Sequence, residues 1–256
     1  MLVTSALFLG GCAGVENKEG SFYNIFVKPM ESLLEFFSGL FGGSYGMAII
    51  VITVLIRLVL MPLMLKNYKA QQEMKVKMDA LKPEMEDIQK RIKVAREAGD
   101  KDEQMKLQQE MMGLYQKHGV NPLNMGCLPI LIQMPIIMGL YFAILYSKEV
   151  SEQKFLWFNL GEPDIIMMLV AGAVYFVQAR VSLWTMPEQQ KQQMKMFIYL
   201  SPIMIMFISL KAVAALPLYW AVGGFLLIVQ TYLGRKLYFK EVDAPATETE
   251  TKNNKK

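Results

Sequence analysis

The chain has 256 residues, 53% of them hydrophobic, with a mean hydropathy of +0.26 and a formal net charge of +4. The apolar residues fall in long blocks, which excludes an ordinary soluble domain and points to a membrane protein. Two cysteines in unlike contexts, Cys12 and Cys127, make no disulfide framework, and a single histidine, His118, argues against a histidine-based metal site.

The chain opens with MLVTSALFLGGC, a short apolar run ending Leu9-Gly10-Gly11-Cys12. The run is too short to span a bilayer and resembles a bacterial lipoprotein signal, in which small residues precede a cysteine that is lipidated. The expectation is a signal peptide over residues 1–11, lipid (palmitate-type) attachment at Cys12, and a mature N-terminus outside the cytoplasm. The basic residue usual before such a run is missing. In the extracytoplasmic segment 12–44, Met30, Leu33, Leu34, Phe37, Leu40 and Phe41 recur at helical spacing with Glu31 and Glu35 among them. This predicts an amphipathic helix lying at the outer interface.

Five spans are predicted, each near the ~20 residues that cross the hydrocarbon: 45–65, 122–146, 165–184, 196–213 and 216–237. The predicted fold class is an all-α integral membrane protein with five transmembrane helices, a cytoplasmic antiparallel helical hairpin and the outer interfacial helix. Orientation follows from charge. Residues 66–118 hold 12 Lys/Arg, whereas the connection between the second and third spans holds only Lys148 and Lys154. Arg180, Lys191 and Lys195 flank the third connection, and Arg235, Lys236 and Lys240 follow the fifth span. Basic loops face the cytoplasm, so the C-terminus does too, in agreement with an outer N-terminus.

Residues 66–118 also carry 10 acidic residues and are too polar to enter the bilayer. Met74, Met78, Leu81, Met85, Ile88 and Ile92 recur every three or four residues, as in a coiled-coil seam. Gly99 suits a helix stop, and Asp100 with Glu103 makes a capping-box pattern. Met105, Leu107, Met111, Met112 and Leu114 supply the expected apolar face of the return helix, and Pro83 is expected to bend or interrupt the first arm. The pattern fits a passive spacer and a contact arm equally. The tail 240–256 holds four basic and four acidic residues and reads as disordered.

The first span contains MAIIVITVLIRLVLMPLML, with Arg57 near its middle. A charge at that depth costs roughly 2.5–3.5 kcal/mol on insertion scales. No Asp or Glu sits deep in any span, and Thr53, Gln133, Gln178, Gln230 and Thr231 are the polar neighbours on offer. An arginine without a carboxylate mate suggests a hydrated hollow rather than a buried ion pair. A structural clamp made by backbone carbonyls and glutamines is the competing explanation.

The segments YGMAIIVITVLIRLVLMPLMLK, LYQKHGVNPLNMGCLPILIQMPIIMGLYFAI, FLWFNLGEPD and LPLYWAVGGFLLIVQT resemble, in order and in placement, the YidC family of membrane-protein insertases. The likeness covers most of residues 20–237 and fits lipoprotein-type members without a large extracytoplasmic domain. It implies a bacterial plasma-membrane insertase and chaperone that acts alone or beside the Sec translocon on nascent membrane proteins. It implies no enzyme chemistry, no cofactor and no nucleic-acid partner. It also implies a positively charged intramembrane groove open to the cytoplasm and laterally to lipid, to which Arg57, Gln178 and Trp220 correspond, and a hairpin that helps recruit clients. The ribosome contact made by basic tails in some members is not matched by the near-neutral tail here. The residues themselves leave an alternative, an anion or solute transporter using Arg57. An intramembrane hydrolase is disfavoured, since no HExxH and no deep paired aspartates are present.

Overall fold

The computed structural model describes residues 15–120, 127–186 and 188–238. The predicted lipidation site Cys12, the signal 1–11, the start of the second predicted span and the tail 240–256 lie outside the described residues.

The described chain is almost wholly helical. A π-helical turn, Tyr23–Val27, runs into α1, Lys28–Leu40. Then follow α2 (Tyr45–Ala80), α3 (Lys82–Glu97), α4 (Lys101–Lys117) and α5 (Cys127–Leu145). A short α6 (Lys148–Ser151) and a two-stranded hairpin, β1 (Lys154–Phe155) with β2 (Phe158–Asn159), lead to α7 (Ile165–Ser182). A 3-10 turn, Leu183–Thr185, precedes α8 (Glu188–Ser209) and α9 (Ala215–Tyr238). Among the described residues, three helices are long and apolar enough to cross a membrane, Tyr45–Ala80, Ile165–Thr185 and Ala215–Tyr238, and Gln133–Leu145 and Ile198–Ser209 are further apolar helical segments.

α2 does not end at residue 65, where the first predicted span stops. It runs unbroken to Ala80. Nothing at the boundary breaks it: Lys66, Asn67 and Tyr68 are compatible with a helix, and Pro62 is absorbed inside it. The break comes at Leu81, and Pro83 lies in the first turn of α3, where its missing N–H costs nothing.

α9 packs against both α2 and α7, α7 also holds α8, and α1 lies on α2. The glycines of α9 permit the close approaches. A Cβ on Gly224 would lie 2.9 Å from Val174 Cγ1, and one on Gly234 would lie 2.5 Å from the Tyr68 ring.

The main core gathers at the end of the bundle where α2 begins. Ala48, Ile49, Ile52, Leu140, Ile144, Val150, Phe158 and Leu160 are buried there together with the start of α9. Hydrogen bonds tie this end shut. The Gln153 side chain accepts from the Tyr45 N–H and donates to the Gly43 carbonyl, both at 2.5 Å. Ala214 and Ala215 donate to the carbonyls of Glu162 and Leu160 at 2.9 and 3.0 Å. In α1 Leu34 and Ser38 are buried, with Met30 and Phe37 packed on the core, while Phe36 and Leu40 are more than 60% exposed.

α3 and α4 pair antiparallel and, with the last turns of α2, enclose a second core: Met74 and Met78 from α2, then Leu81, Met85, Ile88, Leu107 and Leu114. Arg91 pairs with Glu110 across it at 3.0 Å. Gly99 (φ +73°) turns the corner: Asp100 N–H donates back to the Ala95 carbonyl at 2.9 Å, a Schellman closure. The Asp100 carboxylate caps α4 by accepting from Glu103 N–H at 2.9 Å. Since Asp100 N–H is already used, the predicted capping box is replaced by a simple cap, and Glu103 pairs with Lys106 instead. Met105 and Met112, expected on the inner face, are exposed; Ala95, Tyr115 and Val120 fill in.

Candidate functional site around Arg57

Ser44 caps α2 through Met47 N–H, and the first two turns bury Ala48, Ile49, Ile52 and Thr53. From Val54 to Asn67 no residue of α2 is buried. Arg57 stands at the beginning of that open stretch, one turn beyond Thr53 and on the same face.

The guanidinium lies against α9 at Gly223. A Cβ there would be 3.5 Å from an Arg57 Nη and 3.7 Å from the Thr53 methyl. Gly223 faces α2 while its neighbour Gly224 faces α7, so the Gly-Gly pair serves two helices about 100° apart around α9. Below this contact the two helices are stitched twice. Gln230 Nε2 donates to the Arg57 backbone carbonyl at 3.1 Å, and the hydroxyls of Tyr68 and Thr231 are hydrogen-bonded at 2.8 Å. Tyr175 and Tyr219, with Tyr68, lie within electrostatic reach of the guanidinium.

Among the described residues no carboxylate pairs with Arg57; the ion pairs present lie in the α3–α4 pair, on its flank, or at Lys18–Glu31. The polar groups expected to satisfy Arg57 go elsewhere. Thr53 bonds its own helix at the Ile49 carbonyl, and Thr231 goes to Tyr68 and the Leu227 carbonyl. Among the described residues, Gln133 and Gln230 each keep a buried amide oxygen without a partner. Gln178 is half-buried on α7, one turn after Tyr175; Trp220 is half-buried on α9, one turn before Gly223, and packs on the main core. Neither is hydrogen-bonded to Arg57 among the described residues. The three predicted residues therefore come from the three helices that meet around α9, without forming one hydrogen-bonded cluster.

Sequence reasoning passed over Tyr68, Tyr175, Tyr219, Gly223 and Gly224. The adjacent glycines in an apolar helix were the available signal, since small residues permit close helix approach. Chemically the site offers a permanent cation and several hydroxyl and amide groups. Among the described residues no group of three or more His, Cys, Asp and Glu is placed to hold a metal ion.

A family model described as 60Kd inner membrane protein matches residues 36–241. The chain is similar to the membrane protein insertase YidC 2 of Listeria monocytogenes, 46% identical over 243 residues that cover 94% of this chain and 87% of the relative. It is 44% identical to the membrane protein insertase YidC of Staphylococcus carnosus over 94% of this chain and 85% of the relative. With that of Staphylococcus haemolyticus it shares 43% identity over 99% of this chain and 90% of the relative.

Proposed function

The chain belongs to the YidC family of membrane protein insertases, and from that premise we propose that it inserts and folds integral membrane proteins through a hydrophilic, positively charged groove built around Arg57. The protein is a multi-pass membrane protein with five spans, an outer N-terminus lipid-anchored at Cys12, and the α3–α4 hairpin and C-terminus in the cytoplasm. The closed end of the bundle, bolted by Gln153, then faces outward, and the open stretch of α2 faces the groove and the cytoplasm.

The observation that carries this reading is Arg57 itself: a guanidinium without a carboxylate among the described residues, set against Gly223 where α2 stops burying side chains. A cation so placed attracts an acidic segment of a client. At an effective dielectric near 20, a carboxylate about 4 Å away gains about 4 kcal/mol. That matches the cost of roughly 2.5–3.5 kcal/mol for placing an arginine at mid-bilayer, so an acidic client segment offsets what the empty site costs. Gln178 and Trp220 line the path, and the client's apolar helix leaves along the lipid-facing surfaces of α2, α7 and α9. No covalent bond is made or broken. Clients are nascent membrane proteins, reached alone or together with the Sec translocon, and the hairpin receives them.

Site-specific photocrosslinking during insertion tests the path. A photoreactive residue at 178 or 220 is expected to capture the translocated segment of a single-span client, whereas one at Phe207, 73% exposed on α8, is not. Capture at 207 alone would contradict the groove.

A further inference from the structure

Gln230 is 1% exposed, yet its amide oxygen has no partner among the described residues. A buried unsatisfied acceptor is destabilising, so the side chain is not explained by packing. Its Nε2 donates across the helix interface to the backbone carbonyl of Arg57, the residue on which the proposed groove depends, at 3.1 Å.

The position of that bond matters. Pro62 has no N–H, so the carbonyl of Leu58 loses its usual donor and the helix ladder of α2 is thinned in the turn just after Arg57. The same stretch, residues 54–67, buries no side chain. Packing and the helix ladder thus both slacken where the guanidinium must be held. Gln230 bridges the slack turn, between the Gly223 contact on one side and the Tyr68–Thr231 hydrogen bond on the other.

We infer that Gln230 is a positioning residue that holds the Arg57 guanidinium over Gly223, and so sets the preference for clients with acidic translocated segments. This rests on the groove reading above. Gln230 acts through the Arg57 peptide and need not touch the client.

The test uses full-length protein in proteoliposomes and two forms of one single-span client: an acidic translocated tail, and the same tail with Asp and Glu changed to Asn and Gln. Gln230→Met removes the donor and the orphaned oxygen while keeping most of the volume. Gln230→Leu likewise removes the donor, in a branched apolar side chain of similar volume. Each folded variant is expected to insert the acidic client about threefold to tenfold less, the scale of one lost hydrogen bond, and the neutral client nearly as well as wild type. The thermal midpoint of the Met variant is expected to be unchanged or raised. A parallel fall for both clients means a structural role only and overturns the inference, as does unchanged insertion of the acidic client by either folded variant. Arg57→Ala runs alongside: if it spares the acidic client, the charge reading itself has failed, and that is seen without reference to residue 230.

Discussion

Arg57 meets α9 at a glycine, and the size of that residue is itself a prediction. Gly223→Ala places its methyl 3.5 Å from the guanidinium, an ordinary contact, and gains roughly 0.5–1 kcal/mol of helix propensity. It is expected to leave both stability and insertion intact. Gly223→Leu fills the seat of the guanidinium and is expected to lower insertion of acidic clients selectively. Gly224→Ala, one residue on, puts a methyl 2.9 Å from Val174 and is expected to destabilise by about 1–3 kcal/mol through overpacking. Thermal unfolding in detergent micelles separates the three. At this scale Arg57 was legible because a charge inside an apolar run stands out against its neighbours. Tyr68, Tyr175 and Tyr219 were not, because a tyrosine in a membrane helix fits lipid, core and site alike.

Among the elements, spacings of three and four placed Met74, Met78, Leu81, Met85, Ile88 and Ile92 in one apolar seam; the first five are buried and Ile92 is partly buried against them. The return helix was read less well, because Met105 and Met112 lie seven residues apart and mimic a seam, while Leu107 and Leu114, at the same spacing, are the ones that face α3. The continuity of α2 past residue 65 escaped composition, since polarity changes there and helix propensity does not. Gly99 sits at φ +73°, so Gly99→Ala is expected to cost about 1 kcal/mol. Amide exchange around the corner should then quicken about fivefold.

The turn before α1 makes a second prediction at the element scale. The Tyr23 hydroxyl donates to Glu31 at 2.5 Å, and Lys18 pairs with the other oxygen at 3.3 Å. That hydrogen bond first, then burial and the charges of Glu31 and Glu35, push the Tyr23 phenol up from 10.0 to about 12. The raised value means that its contribution to stability is complete below pH 10.0 and is lost as pH climbs through about 12. Ring-carbon NMR, assigned with Tyr23→Phe, is expected to show this late titration, and Glu31→Gln is expected to bring it back toward 10.0.

For the whole molecule, the all-helical class and the apolar helices were visible in hydropathy alone, because the bilayer leaves few other solutions. How the helices meet was not, since lipid-facing and protein-facing surfaces are equally apolar; only glycines and scattered polar groups mark the contacts. The proposed orientation predicts labelling by a membrane-impermeant maleimide in a Cys127→Ser background. Lys154→Cys should react on intact cells, and Lys106→Cys only once the membrane is opened. The reverse pattern would invert the topology.

The central claim, insertion driven by a cation in the groove, is tested most directly in liposomes holding only this protein. Wild type and Arg57→Ala, at matched folded amounts, are compared on a single-span client with an acidic tail and on its neutralised twin. The expected result is insertion of both clients by wild type, with the variant about tenfold weaker on the acidic client, near 1.4 kcal/mol, and little changed on the neutral one. If folded wild type inserts neither client above empty liposomes, or if Arg57→Ala treats the two alike, the account is contradicted.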